Sequence, residues 1–146
     1  MENKIVEFYR NVLVGFVEPS PVEQLIGIKA IEVVPGHAIF EMDVDQQHSN
    51  PQGTLNGGIT CTLADITMGM AFGSTLLPEE TFTTIELKIN FMKPVWNGTI
   101  RAEAKSVKKG KTIGLIDCNV YDDNNSLVAY ATSTCMVLRG DKAEGR

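Results

Sequence analysis

Apolar and polar positions change period near the middle of the chain, from helical spacing to strand alternation. Residues 2–14 place Ile5, Val6, Phe8, Tyr9, Val12 and Leu13 at approximately helical spacing, which predicts an amphipathic helix. Ser20-Pro21-Val22-Glu23 has the form of a capping box with Pro at the first helical position, so a short helix is expected after it. Runs at 28–34 and 37–44 flank Pro35-Gly36 and predict a hairpin. Beyond a polar loop from Asp45 to Gly53, the segment 57–72 is apolar on almost every side and too long for a typical strand. It reads as a buried helix. Further on, Ile85, Leu87, Ile89 and Phe91 alternate with Glu86, Lys88 and Asn90, and Ile100, Ala102 and Ala104 with Arg101, Glu103 and Lys105. Runs 112–121 and 126–138 also suit strands, and Asn97-Gly98, Lys109-Gly110 and Asp122–Asn125 supply turn chemistry. Residues 139–146 read as a frayed tail.

The order is thus a helix, two strands, a long buried helix, then four strands in a meander. One antiparallel sheet packed on one apolar helix is an α+β domain, and at 146 residues a single domain, 1–146, is expected. One sheet covers only one side of such a helix. A second copy of the chain is the simplest supply of the missing layer.

Composition narrows the class. With 43% hydrophobic and 21% charged residues the chain is neither disordered nor fibrous, and a net charge of −5 argues against nucleic acid as a partner. The longest apolar stretch, Gly57 to Leu77, carries Asp65, which costs about 2.5–3.5 kcal/mol at mid-membrane, so no membrane span is expected. The first residues, with Glu2, Glu7 and Arg10, lack a signal-peptide core. Three cysteines without CxxC spacing, and two histidines without ligand spacing, argue against a disulfide framework or a bound metal. A cytoplasmic protein is expected.

Asp65 is the residue that carries chemistry. Its helix-face neighbours are Cys61, Thr62, Met68 and Gly69, and no Lys or Arg occurs between Ala30 and Leu87. An Asp in such a setting is either a carboxylate kept dry as a nucleophile or general base, or one satisfied by hydroxyls, backbone or a cation from the sheet. The same helix starts at Gly57-Gly58, where backbone N–H groups lack intrahelical partners and can be approached closely enough to stabilise an oxyanion. A tight helix–strand contact would use the same glycines. Eight residues separate Gly57 from Asp65, roughly 12 Å along a helix axis, so both can act on one carbonyl only if they come from different protomers.

The stretch Asn50-Pro-Gln-Gly-Thr-Leu-Asn56-Gly57-Gly58, followed by Thr62-Leu-Ala-Asp65, resembles the hotdog-fold acyl-CoA thioesterases of the phenylacetate-pathway and thioesterase superfamily member 2 kind. Thr83-Thr84-Ile-Glu-Leu-Lys-Ile-Asn-Phe-Met-Lys-Pro94 looks like the strand that follows their central helix, and the likeness spans about residues 26–139. The resemblance implies an antiparallel sheet wrapped around one long helix, a dimer with a continuous sheet, and often a tetramer. It implies hydrolysis of acyl-CoA to free acid and CoA, with CoA as part of the substrate and no cofactor. By position, Asp65 matches the catalytic carboxylate, Gly57 the N–H that polarises the carbonyl, Asn50 a polar residue that places water or the acyl group, and Thr84 a hydroxyl from the adjacent strand. Asn56 stands where relatives often carry His, and it cannot titrate near neutral pH.

Seven of the thirteen basic residues lie between Lys88 and Lys111, and the turn Lys109-Gly110-Lys111-Thr112 is expected to meet the CoA phosphates, as the resemblance also implies. A solvated hairpin tip would look the same. His37 is expected at the surface, His48 in a structural or solvent role, and Cys61 as inert packing. Met68, Met70, Phe72 and Leu76 are expected in the core or along an acyl tunnel. Two other functions compete with hydrolysis: a catalytically silent acyl-CoA-binding module, and a hotdog-fold dehydratase or hydratase acting on acyl thioesters. The latter usually sets a His opposite an acid, and no His lies in or after the long helix here.

Overall fold

The computed structural model describes residues 2–144. Helix α1 (Lys4–Leu13) and helix α2 (Pro21–Ile26) precede the hairpin of β1 (Ile28–Val34) and β2 (His37–Val44). Helix α3 (Gly57–Gly73) follows, then β3 (Thr81–Phe91), β4 (Gly98–Lys109), β5 (Ile113–Tyr121) and β6 (Leu127–Leu138). Asn3 begins α1 by accepting from the Ile5 and Val6 amides, while its Nδ2 donates to the Gly73 and Leu76 carbonyls at the end of α3. The capping box at Ser20 forms as predicted, and its Glu23 is buried, taking the Ser20 amide on one oxygen and the Tyr9 hydroxyl on the other.

All six strands form one antiparallel sheet in the order β1-β2-β4-β5-β6-β3. The expected four-strand meander holds only for β4, β5 and β6. Strand β3 crosses to the far edge and pairs with β6, because residues 92–97 can reach about 20 Å while β4 lies three strand spacings away, about 14 Å. Strand β3 therefore ends the sheet with its outer edge unpaired over eleven residues.

The inner face of the sheet meets α3 through Phe40, Met42, Ile100, Ile116 and Val120, packed against Leu63, Met68 and Phe72. Close approach requires Gly114, since a β-carbon there would overlap the Phe72 ring. The core side of α3 includes Thr60, Leu63, Ala64, Thr67, Met68, Ala71 and Phe72; Gly58 and Asp65 are exposed, and Cys61, Thr62 and Ile66 are half-buried. The sheet thus leaves a stripe of α3 uncovered beside β3. No helix is long and apolar enough to cross a membrane.

The first residues of the tail are tied to the turn beside them. Arg139 is held by Glu80 and donates 2.7 Å to the Lys111 carbonyl, and Gly140–Lys142 form a 3-10 turn. Residues 145–146 lie outside the described residues.

Candidate active site

The site grows from the loop that leads into α3. Asn50 shapes that loop: its Oδ1 accepts the Gln52 and Thr54 amides at 3.0 and 3.1 Å, and its Nδ2 donates 2.7 Å to the Thr54 hydroxyl. Three bonds of this kind are an Asx turn with an added side-chain brace. Asn56 is the N-cap of α3, its Oδ1 accepting 2.7 Å from the Gly58 amide. That bond gives Asn56 a structural part at the helix start, since a cap needs an acceptor and not a titrating ring. With Gly58 satisfied by the cap, Gly57 is left as the first helical residue with no acceptor for its N–H among the described residues. Gly57 opens on a cavity of about 380 Å³ that Asn50, Leu55, Phe91, Val95 and Val128 also line.

Asp65 lies two turns further along and is exposed in a single protomer, which corrects the expectation of a dry carboxylate. The physical reason is the sheet: α3 lies over its middle, so nothing among the described residues covers this stripe. Asp65 joins none of the ion pairs among the described residues. Packing around its base nonetheless raises its pKa above the usual carboxylate value, against an opposite pull from the Thr84 hydroxyl. Its charge in turn contributes to raising the Cys61 and Cys135 thiols, in which burial is the larger cause.

Thr84, whose hydroxyl lies 3.8 Å from the Cys135 sulfur, is near enough to Asp65 to lower its pKa because β3 is irregular. Leu87, Ile89 and Phe91 oppose the inward β6 residues Ser133, Ala131 and Ala129, and uninterrupted alternation would place Ile85 inward as well. A register shift between Thr84 and Glu86 leaves Ile85 unpaired and 51% exposed, and turns Thr84 to the inner face opposite Cys135. The bulge re-aims one hydroxyl toward the acid. Alternation in the sequence had grouped Ile85 with Leu87, and the bulge corrects it.

The basic turn is also arranged differently from its expectation. Lys109 is committed to Glu80, 2.7 Å from a carboxylate that is 1% exposed, and Arg139 holds the other oxygen. Burial alone would raise the Glu80 pKa, but the Leu77 amide, Lys109 and Arg139 together bring it down to about 2. A depressed carboxylate stabilises the fold above its unfolded value of 4.5, and that contribution is lost as pH falls toward 2. The triad anchors the turn, which Gly110 and Thr112 complete through bonds to Ile113 and Val137, and leaves Lys111 as its exposed cation.

Sequence reasoning missed Glu80 and Arg139, which lie 59 residues apart and meet only in the fold. It saw Phe91 only as one apolar position in an alternating run. Of the remaining candidates, His48 is structural, buried with Nδ1 accepting the Asp45 amide and Nε2 donating to the Ile26 carbonyl. His37 is half-buried between Glu32 and Glu103. Met68, Phe72 and Leu76 are buried, and Met70 is packed partly against them. Among the described residues no group of three metal-ligating side chains occurs.

A long helix held by a single antiparallel sheet, with a glycine amide free at its start and an acid on its open side, defines the class, and comparison with known proteins fits it. The profile of the thioesterase superfamily matches residues 52–129. Acyl-coenzyme A thioesterase 13 of Homo sapiens is 33% identical over 128 residues, 86% of this chain and 91% of that one. Among solved structures, a thioesterase family protein from Silicibacter pomeroyi superposes with a TM-score of 0.79 at 28% identity, covering 91% of this chain and 99% of its own. The PaaI protein of the E. coli phenylacetic acid degradation operon gives 0.80 at 24% identity, covering 92% and 95%. The chain belongs to the thioesterase superfamily. It has the hotdog fold and is a thioester hydrolase.

Proposed function

We propose that this chain hydrolyses acyl-CoA thioesters in a composite site of a homodimer, with the Gly57 N–H of one protomer on the thioester carbonyl and Asp65 of the other beside it. One observation carries the reading. The free amide and the acid sit on the same helix, roughly 12 Å apart, and the acid faces outward along an unpaired strand edge. A two-fold pairing of β3 edges would cover that stripe and bring each Asp65 toward its partner's helix start. Long unpaired edges invite such pairing, and Ile85 and Phe91 are apolar side chains on β3 that need cover. Tetramer formation from such dimers is part of the same proposal.

The chemistry is a water attack. Asp65 takes the proton from water, or attacks the carbonyl itself before water releases the acid. The Gly57 N–H, strengthened by the helix dipole, receives the charge that develops on the carbonyl oxygen. Collapse of the intermediate breaks the carbon–sulfur bond and the CoA thiolate leaves; on the general-base route the proton held by Asp65 passes to it, and on the nucleophilic route the thiolate takes a proton from solvent and water then cleaves the acyl–Asp65 anhydride. Thr84 holds the acid in position. Asn50 keeps the entrance loop in shape at the site's rim, and Asn56 acts as a cap and carries no proton. Neither metal nor cofactor is required, and the absence of paired cysteines suits a reducing cytoplasm.

The test is a panel of short-chain, medium-chain and aromatic acyl-CoAs with release of free thiol as the readout. Turnover of at least one thioester by a dimeric protein is expected; cleavage of none, or full activity in a monomer by sedimentation, overturns the reading. The turn Lys109-Gly110-Lys111-Thr112 is assigned to the CoA phosphates, with Lys111 as the free charge. Lys111→Ala should raise KM severalfold at low ionic strength, less at high salt, with kcat unchanged. An unaltered KM at low salt would remove the turn from the site.

A further inference from the structure

We propose that Phe91 decides which acyl groups this site accepts, admitting unbranched apolar chains and rejecting a branch on the carbon next to the carbonyl. The inference rests on the reading that the Gly57 N–H receives the thioester oxygen. Gly57 and Phe91 line the same cavity, although one starts α3 and the other ends β3. The Phe91 ring lies against the glycine: a β-carbon built on Gly57 would stand 2.9 Å from Cζ and 3.3 and 3.4 Å from the two Cε atoms. Three ring carbons at such range put the ring in contact with the helix start, so a group added between them has to push the ring aside.

A carbonyl oxygen accepted by Gly57 sits about 2.7–3.1 Å from its nitrogen. The acyl carbon bonded to that carbonyl is then brought beside the ring. A straight chain can continue past the ring into the cavity, along Leu55, Val95 and Val128. A methyl branch at that carbon meets the ring and is received only if the ring swings outward, which costs contacts that a straight chain keeps. The lining is apolar apart from Asn50, two threonines and Lys93, and the Lys93 ammonium is 2.6 Å from Asp122. No unpaired cation among the lining residues favours a carboxylated acyl group. The selected class is therefore uncharged and unbranched at the first acyl carbon.

Phe91 can be altered without emptying the core. It is 56% exposed and lies on the unpaired edge strand. Matched substrates read the effect: butanoyl-CoA against 2-methylbutanoyl-CoA, and octanoyl-CoA against 2-methyloctanoyl-CoA, each with the wild type, Phe91→Ala and Phe91→Leu. One misplaced methyl group in a pocket changes kcat/KM by roughly 10–200-fold, so the wild type should favour the straight member of the cleaved pair at least about tenfold. Phe91→Ala should reduce that preference to about threefold or less through faster cleavage of the branched substrate, with Phe91→Leu intermediate. Sedimentation of each variant separates lost selectivity from lost assembly. Equal rates for both members with the wild type, or an unchanged preference in both assembled variants, overturns the assignment of Phe91. Failure of the wild type to cleave any CoA thioester overturns the hydrolysis reading itself, and this inference with it.

Discussion

Asp65→Asn is expected to lower kcat for thioester cleavage by about 10²–10⁴-fold, the usual range for a positioned general base, while leaving KM within a few-fold of wild type. The amide matches the carboxyl group in size but can neither take a proton from water nor attack a carbonyl. Folding should not suffer. Asp65 has no ion-pair partner among the described residues, and its packing environment disfavours the charge, so the variant should melt at or above the wild-type temperature. A residue kept for structure would show the reverse. The pH dependence carries its own sign. Burial raises the Asp65 pKa and the active form is the carboxylate, so the wild-type rate should climb with pH through a limb above the ordinary carboxylate range. Covering the stripe in a dimer desolvates the acid further and moves that limb further up. Thiol-release rates from pH 4 to 8, with a thermal melt of each protein, check both halves, and wild-type turnover in Asp65→Asn ends the mechanism.

Gly57→Pro should cost about 10²–10³-fold in kcat, because it deletes the backbone donor that the proposal assigns to the oxyanion. The change is unusually clean for a backbone deletion. Proline is well tolerated at the first helical position, and Asn56 already has φ −63° and ψ 131°, the extended conformation that a residue before proline adopts. Only the Phe91 ring, at the exposed edge, must shift to admit the new ring. The two inactive variants together provide the sharpest test of a shared site. If the amide comes from one protomer and the acid from the other, a dimer of Asp65→Asn with Gly57→Pro contains one site with both changes and one with neither. Random mixing of subunits then restores about a quarter of wild-type activity per chain. No recovery after co-refolding, with mixed dimers present by mass, would place both groups in one protomer and contradict the proposal.

Much of the architecture was legible before any coordinates. The capping box at Ser20, the hairpin around Pro35-Gly36 and the apolar helix from Gly57 all depend on contacts within a few residues, and local pattern reports such contacts well. The candidate site was half legible. Gly57 and Asp65 stood out because a glycine pair at a helix start and an acid within an apolar helix conflict with simple packing. The place of β3 in the sheet was not legible, since alternation identifies a strand without naming its neighbour. Nor was the turning of Thr84 toward Asp65, because a one-residue bulge has no periodic signature of its own. Lys109 looked free for phosphate until Glu80, 29 residues away, proved to hold it.

Helices, strands and the glycine pair that starts α3 follow from the order of residues alone, because each is settled by neighbours within a turn or two. Folding in three dimensions decided which strand stands at the sheet's edge, which hydroxyl meets the acid, which lysine remains free and where Phe91 rests. Those outcomes depend on side chains that meet across tens of residues, where the route of one six-residue connection outweighs local preference. The same route leaves one flank of α3 bare, and so exposes in the single chain an acid that the apolar run around it would lead one to bury.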